Sequence, residues 1–206
     1  TKVIAVSDFS EKILGENLDK TKIKVIYNGI DINRFKNFKQ KNTKSLNKDL
    51  SLLTVGSLSK RKGQHNVIRA LPEIKKYFPE VRYNMVGLDN IKKELIDLAK
   101  SLGVEDSVKF YGYLEDNELS ILFEKSDLFL MLSENLPDGD IEGFGIAILE
   151  ANYFGLPAIG STGCGIENAI SNMKTGVLVD NKNPIECREA IEYIPVSYTH
   201  LRAHET

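Results

Sequence analysis

The sequence predicts an α/β fold, a doubly wound, Rossmann-like parallel sheet. Three observations predict it. Short apolar runs recur at Val3–Val6, Ile23–Ile26, Leu52–Val55, Val81–Val86, Val108–Tyr111, Leu128–Leu132, Ala158–Ile159 and Val177–Val179. Stretches of helical periodicity lie between them. Connections of that length make neighbouring strands parallel and the crossovers right-handed. Ligands of such a fold are expected beyond the carboxyl ends of its strands.

The helical stretches can be read one by one. Val67, Leu71, Ile74 and Phe78 step by four, three and four, which places them on one helix face. Pro72 falls inside that stretch and should kink it or mark its first turn. Ile91, Leu95 and Leu98 repeat the pattern, as do Leu119, Leu122 and Phe123. A last helix is expected over Pro184–Ile194. Pro195–Thr206 does not continue its periodicity and contains two of the three histidines, His200 and His204. We read 195–206 as a non-native tail and exclude it from the fold. His65 reads as a helix-surface residue.

Composition narrows the function classes. The 206 residues are 42% hydrophobic and 27% charged, ordinary for a globular chain. A net charge of −2 supplies no field that calls for nucleic acid or an anionic membrane. The two cysteines, Cys164 and Cys187, have neither CxxC spacing nor histidine neighbours, so no zinc or redox motif is read. A reducing cytosol fits them. No stretch approaches the ~20 apolar residues of a membrane span, so any membrane contact would be peripheral. Phe38–Leu50 is polar, with Lys39, Lys41, Lys44 and Lys48, and reads as a solvated connection or a basic lip facing a membrane.

The sharpest chemical motif is Glu142-Gly-Phe-Gly-Ile-Ala-Ile-Leu-Glu150. A strand and a polar loop precede it. Gly143 and Gly145 let backbone approach a ligand, and the apolar run Ile146–Leu149 is expected to open a helix that begins near Phe144. A helix amino end offers unpaired N–H groups and partial positive charge, which suits phosphate. Glu142 stands before that end and Glu150 eight residues further, roughly 12 Å of helix. A carboxylate can accept both hydrogen bonds of a vicinal diol, so the pair could hold two sugar rings on either side of a diphosphate. Alternatively, both are solvated charges.

A second motif, Val55-Gly-Ser-Leu-Ser-Lys-Arg-Lys-Gly63, follows a strand and precedes a helix. It combines Gly56 and Ser57 with the cations Lys60, Arg61 and Lys62. Cations placed there would stabilise a departing diphosphate. A solvated basic turn is the competing reading.

The first motif, continued by Gly155-Leu-Pro-Ala-Ile-Gly160, resembles the E-x7-E signature of the family-four retaining glycosyltransferases of the GT-B type. Val55–Gly63 resembles that family's Gly-Arg…Lys-Gly stretch: Lys62 matches the lysine, Ser57 departs from the arginine, and Arg61 could replace it. Tyr27-Asn-Gly-Ile-Asp31 with Phe35 resembles the entry to the C-terminal domain. Gly160-Ser-Thr-Gly-Cys-Gly-Ile-Glu167 resembles the Gly-Gly-x-Pro-Glu loop. Asp138–Gly145 resembles a mannosyltransferase-like branch.

The resemblance implies a boundary at 27, with 1–27 the end of an N-terminal acceptor domain and 28–194 a donor-binding C-terminal domain. It implies Glu142, Lys62 and Arg61 as catalytic residues. It implies a donor site of Gly56, Ser57, Gly143, Phe144, Gly145, Ile146, Glu150, Gly163 and Gly165, with amides near Ser161 lining the phosphate cleft. The donor would be a UDP- or GDP-linked sugar, with GDP-mannose a candidate. The acceptor, a sugar or a lipid-linked glycan, would belong to the other domain. No cofactor and no metal are implied.

Three rivals stay open. Gly163-x-Gly165-x-x-Asn168 with Asp180 imitates the fingerprint of an NAD-dependent oxidoreductase, although its third glycine is missing and its helix, about Ile166–Asn172, is short. Asp138-Gly-Asp140 resembles the metal-binding Asp-x-Asp of the other glycosyltransferase fold. A non-catalytic nucleotide-sugar-binding module is the third.

Overall fold

The computed structural model describes residues 2–35 and 49–201, with backbone alone for 195–201. All eight expected strands are present. β1 (Val3–Ala5) and β2 (Ile23–Val25) form a separate two-stranded parallel sheet. α1 (Asp8–Leu14) crosses between them, started by Ser7, whose hydroxyl accepts from the Ser10 N–H at 2.9 Å.

The main sheet holds six parallel strands. They are β3 (Ser51–Val55), β4 (Arg82–Val86), β5 (Val108–Gly112), β6 (Leu128–Met131), β7 (Ala158–Ser161) and β8 (Gly176–Val179). Their order across the sheet is β5-β4-β3-β6-β7-β8. This is the doubly wound order, with the chain reversing direction across the sheet between β3 and β6.

Helices cover both faces, so the strands are apolar on both sides. Leu52 and Leu53 are neighbours in β3 but enter opposite layers. Leu128 and Leu130 likewise point to one layer and Phe129 and Met131 to the other, all fully buried. The first layer is closed by α2 (Gln64–Lys75), α3 (Lys92–Ser101) and α6 (Pro184–Leu201). The second is closed by α4 (Asp116–Lys125) and α5 (Ile146–Tyr153). Each such side chain contributes about 1.5–3 kcal/mol by leaving water.

Several sequence expectations need correction. Pro72 lies in the last turn of α2, not the first, where its missing N–H deprives only the Ile68 carbonyl of a helical partner. The helix expected to open with Ile146–Leu149 does so, starting at Ile146 after Gly145 takes a left-handed conformation with φ 88°. The helix expected to end at Ile194 continues as backbone to Leu201, into the presumed tail. The segment read as a helix over Ile166–Asn172 is a 3-10 turn, Gly165–Asn168. His65 is not a surface residue: its side chain is 13% exposed and its Nε2 lies 3.2 Å from Glu134. The lysines at 39, 41, 44 and 48 lie outside the described residues. Leu50, at the end of that stretch, is fully buried in the core.

Candidate active site at the sheet reversal

The reversal between β3 and β6 brings two loops together. One runs from Gly56 to Gly63 and leads into α2. The other runs from Leu132 to Gly145 and leads into α5. They approach so closely that a Cβ on Gly63 would lie 1.8 Å from the Leu132 carbonyl oxygen. The Asn66 side-chain amide donates to that same oxygen at 3.0 Å, and the Glu134 N–H donates to the Arg61 carbonyl at 3.0 Å. The start of α2 is thereby fastened to the end of β6.

This contact places the charged residues. The Lys62 Nζ lies 2.7 Å from Glu142 Oε2, and its stem crosses Gly56, where an added Cβ would touch Lys62 Cε at 3.4 Å. The Arg61 Nη1 donates to the same Glu142 oxygen at 2.5 Å, and its Nε lies 2.8 Å from Asp140. Glu142 is buried, only 6% exposed. Two cations on one desolvated carboxylate form a charge-assisted cluster that fixes all three side chains.

α5 starts beside this cluster. Gly145, in its left-handed conformation, precedes the helix and supplies no side-chain cap. The same holds for Gly63 before α2, with φ 71°. The first N–H groups of both helices therefore have no side-chain acceptor from their N-cap residues. Ile146 is 44% exposed, whereas Phe144 is buried against the Tyr27 ring, 6.2 Å between centroids.

The loop after β7 supports this region in a way the sequence did not show. A Cβ on Gly165 would lie 2.0 Å from the Gly143 carbonyl oxygen, and the Gly165 N–H donates to the Glu142 carbonyl at 2.8 Å. The Gly163 N–H donates to Glu167 Oε1 at 2.5 Å. In this structure both amides are engaged within the chain, Gly163 with the exposed Glu167 side chain and Gly165 with the Glu142 carbonyl, and Gly165 packs against the Glu142–Gly143 backbone. Cys164 is buried, and burial pushes its thiol above the ordinary range, which suits packing more than attack.

Glu150 lies one turn along α5 and is 7% exposed. Its Oε1 accepts from Arg34 Nη1 at 2.8 Å. Arg34 also donates through Nη2 to Asp116 at 2.6 Å. Burial raises the Glu150 carboxyl above its ordinary range, and the Arg34 guanidinium opposes that shift without cancelling it. Arg34 lowers the Asp116 carboxyl. Sequence reasoning missed both partners. Arg34 is 116 positions from Glu150, so no local spacing could reveal the pair.

Gly56, Ser57, Arg61, Lys62, Glu142, Gly143, Phe144, Gly145 and Ile146 are thus gathered at the ends of β3 and β6, with Glu150 one turn into α5. A cavity of about 530 Å³ lies to one side, between α2 and α3, lined by Lys60, His65, Arg69, Ile91, Glu94, Leu95, Leu98 and Glu134. It contains none of the predicted site residues. The dinucleotide rival fails on topology. In this strand order the fingerprint turn belongs after β3, whereas Gly163 and Gly165 follow β7. Of the rival metal pair, Asp138 accepts from the Asp140 N–H at 3.1 Å and Asp140 faces Arg61. Among the described residues no three acidic, histidine or cysteine side chains are grouped to hold a metal ion.

The sheet order and the cluster at its reversal define a Rossmann-like half of the GT-B kind. Residues 35–197 match the family described as glycosyl transferases group 1. This chain belongs to that family. It is 29% identical over 170 residues to the amylovoran biosynthesis glycosyltransferase AmsK of Erwinia amylovora, covering 82% of this chain and 41% of that one. It is 31% identical over 142 residues to a GDP-mannose-dependent alpha-(1-6)-phosphatidylinositol monomannoside mannosyltransferase of Mycobacterium tuberculosis, covering 68% of this chain and 37% of that one. The fold matches Anabaena HepE in complex with UDP and glucose, TM-score 0.78 and 28% identity, over 98% of this chain and 55% of that one. It also matches that of WaaG, a glycosyltransferase involved in lipopolysaccharide biosynthesis, at a TM-score of 0.76 and 24% identity, covering 98% of this chain and 55% of that one. The chain thus spans about two-fifths of the curated relatives quoted. Among the described residues no helix is long and apolar enough to cross a membrane.

Proposed function

We propose that this chain is the donor-binding part of a retaining glycosyltransferase. It would move a sugar from a nucleoside diphosphate sugar, UDP- or GDP-linked, to an acceptor hydroxyl in glycan or glycolipid synthesis. One observation carries the reading: Lys62 and Arg61 meet on the buried Glu142 beside the uncapped amino end of α5, with Glu150 one turn along it.

The chemistry follows from that arrangement. The diphosphate lies across the amino end of α5, where N–H groups and Lys62 face its oxygens. Negative charge grows on the diphosphate as the glycosidic bond breaks, and Lys62 and Arg61 counter it. Arg61 takes the place that an arginine at position 57 would otherwise fill. Glu142 positions the donor sugar and balances the cations. It is not the covalent nucleophile, unlike the second carboxylate of a retaining glycosidase, because its carboxylate already holds two cations. The diphosphate receives the acceptor proton as the new bond forms on the face that the leaving group vacates. A glycosyl–Glu142 adduct in a mass spectrum, or a product with inverted anomeric configuration by NMR, would contradict this step. Acceptor recognition is assigned to the N-terminal domain, whose end the 1–27 segment would be. That domain would also make any peripheral contact with a membrane, from the cytoplasmic side.

The reading predicts that nucleotide binding survives in EDTA, since the cations and helix end do the work of a metal. Calorimetric titration with UDP and with GDP would show which base is preferred. Glu150→Ala should weaken the preferred nucleotide by roughly tenfold to a hundredfold, the loss of one or two hydrogen bonds to a charged acceptor. Unchanged affinity in Glu150→Ala would remove the ribose role of that residue. Binding that vanishes in EDTA and returns with magnesium would favour the metal-dependent rival.

A further inference from the structure

Arg34 lies outside both motifs that carry the proposed chemistry, and its side chain is 43% exposed, yet it is held by two carboxylates and a ring. Its Nη2 and Nε donate to Asp116 Oδ1 at 2.6 and 3.2 Å, and its Nη1 donates to Glu150 at 2.8 Å. The guanidinium carbon sits 5.2 Å from the Phe35 ring centroid. Phe35 is buried, with ring centroids 5.0 Å from Phe154 and 6.4 Å from Phe123. The 3-10 turn Ile32–Phe35 that carries both residues is fixed from its start, where Asp31 accepts from the Asn33 N–H at 2.9 Å. The fork geometry of a guanidinium suits a group that must satisfy two carboxylates at once.

Glu150 needs such a partner. A carboxylate buried this deeply without a cation would give up its charge. A ribose diol is best held by an ionised carboxylate, which only accepts hydrogen bonds. The charged groups facing Glu150 are Arg34 and, behind it, Asp116.

We propose that Arg34 is the positioning residue for the donor's ribose. It engages one Glu150 oxygen and keeps the carboxylate charged and oriented, so that the other oxygen receives a ribose hydroxyl. Asp116 fixes Arg34 from the opposite side. The inference rests on the reading of Glu150 as the ribose contact, and the test separates the two.

The test is calorimetry on this chain with UDP and GDP and with their 2′-deoxy and 3′-deoxy counterparts. The variants are Arg34→Gln, Arg34→Lys, Glu150→Gln and the double Arg34→Gln/Glu150→Gln. Arg34→Gln and Glu150→Gln should each weaken the ribonucleotide by roughly tenfold or more and the deoxy analogues much less. The double variant should bind no worse than the weaker single one, because both remove the same contact. Arg34→Lys should restore part of the preference. In Arg34→Gln the ribonucleotide affinity should also fall off at a higher pH than in the unsubstituted protein, because an unpaired Glu150 takes up its proton sooner. A merely structural role for Arg34 would not move that limb.

If Glu150→Gln loses the ribose preference while Arg34→Gln keeps it with an unchanged pH profile, the role of Arg34 is overturned and the ribose contact stands. If Glu150→Gln leaves the preference intact, the ribose contact itself fails and the proposal falls with it. Fully additive losses in the double variant also overturn the proposal. Should Arg34→Gln fail to fold by circular dichroism, Arg34→Lys decides: a reduced preference supports the proposal, and unchanged affinity and pH profile refute it.

Discussion

Replacing Lys62 by alanine is expected to lower turnover of the active enzyme by roughly 10²–10³-fold, the scale of losing one preorganised charge donor at a reacting oxyanion. Donor KM should change far less. The reason is the timing of the charge. A diphosphate in the intact donor already carries negative charge, but it gains more as the glycosidic bond breaks. A cation at that point stabilises the transition state more than the bound donor, and such an interaction appears in kcat. The geometry also makes the variant clean. Lys62 and Arg61 share one Glu142 oxygen, so alanine at 62 still leaves the buried carboxylate its Arg61 partner. The fold should therefore survive, and a melting curve close to that of the unsubstituted protein would show it. Equal rises in KM with an unchanged kcat would mean that Lys62 only binds the donor. Unchanged kcat and KM would remove it from the site.

Gly63→Ala is expected to be the most damaging single methyl in the chain. Two costs combine there. The residue has φ 71°, a left-handed conformation that costs an alanine about 1–3 kcal/mol. The new Cβ would also lie 1.8 Å from the Leu132 carbonyl oxygen, and relieving such a contact costs about 1–3 kcal/mol more as β6 and α2 separate. The damage is local in origin but reaches the chemistry, because that contact holds Lys62 and Arg61 against the Glu142 loop. Denaturant unfolding should show the stability loss, and calorimetry should show nucleotide affinity falling with it. Gly103→Ala is a useful control: Gly103 also has positive φ, 65°, but an added Cβ there meets nothing within 4 Å. It should show the conformational cost alone. Equal losses at both positions would mean that the close approach at Gly63 carries no weight.

The sheet was legible because its strands are buried on both faces. Leu128–Met131 reads as a continuous apolar run for the same reason that it feeds two layers. The glycines and charges of Val55–Gly63 and Glu142–Glu150 were legible as motifs, and the strand order explains why two segments 80 positions apart meet. What the sequence hid is long-range pairing. Nothing local in Ile32–Phe35 announces that Arg34 will reach Glu150 and Asp116. Nothing local in Gly160–Glu167 shows that Gly165 is small because the Gly143 carbonyl lies against it. That glycine, read as part of the donor site, is also a packing contact. The end of α6 was misplaced for a different reason: loss of an amphipathic period does not by itself stop a helix backbone.

The N-terminal segment shows the same limit. Asp8 accepts from the Asn168 side chain at 2.8 Å and from the Tyr27 hydroxyl at 3.0 Å, and its own N–H donates to Asn168 at 3.0 Å. The Ser10 hydroxyl donates to the Gly143 carbonyl at 3.4 Å. These contacts tie α1 to the loops around the site, although the sequence marks the segment only as the end of a preceding unit.

The most direct measurement is a crystal structure of the chain soaked with UDP and, separately, with GDP. The account predicts a diphosphate within hydrogen-bonding distance of Lys62 Nζ and the amino end of α5 at Ile146, with the ribose against Glu150. A nucleotide seated instead in the cavity between α2 and α3, or anywhere that leaves Lys62 and Glu150 untouched, would contradict it.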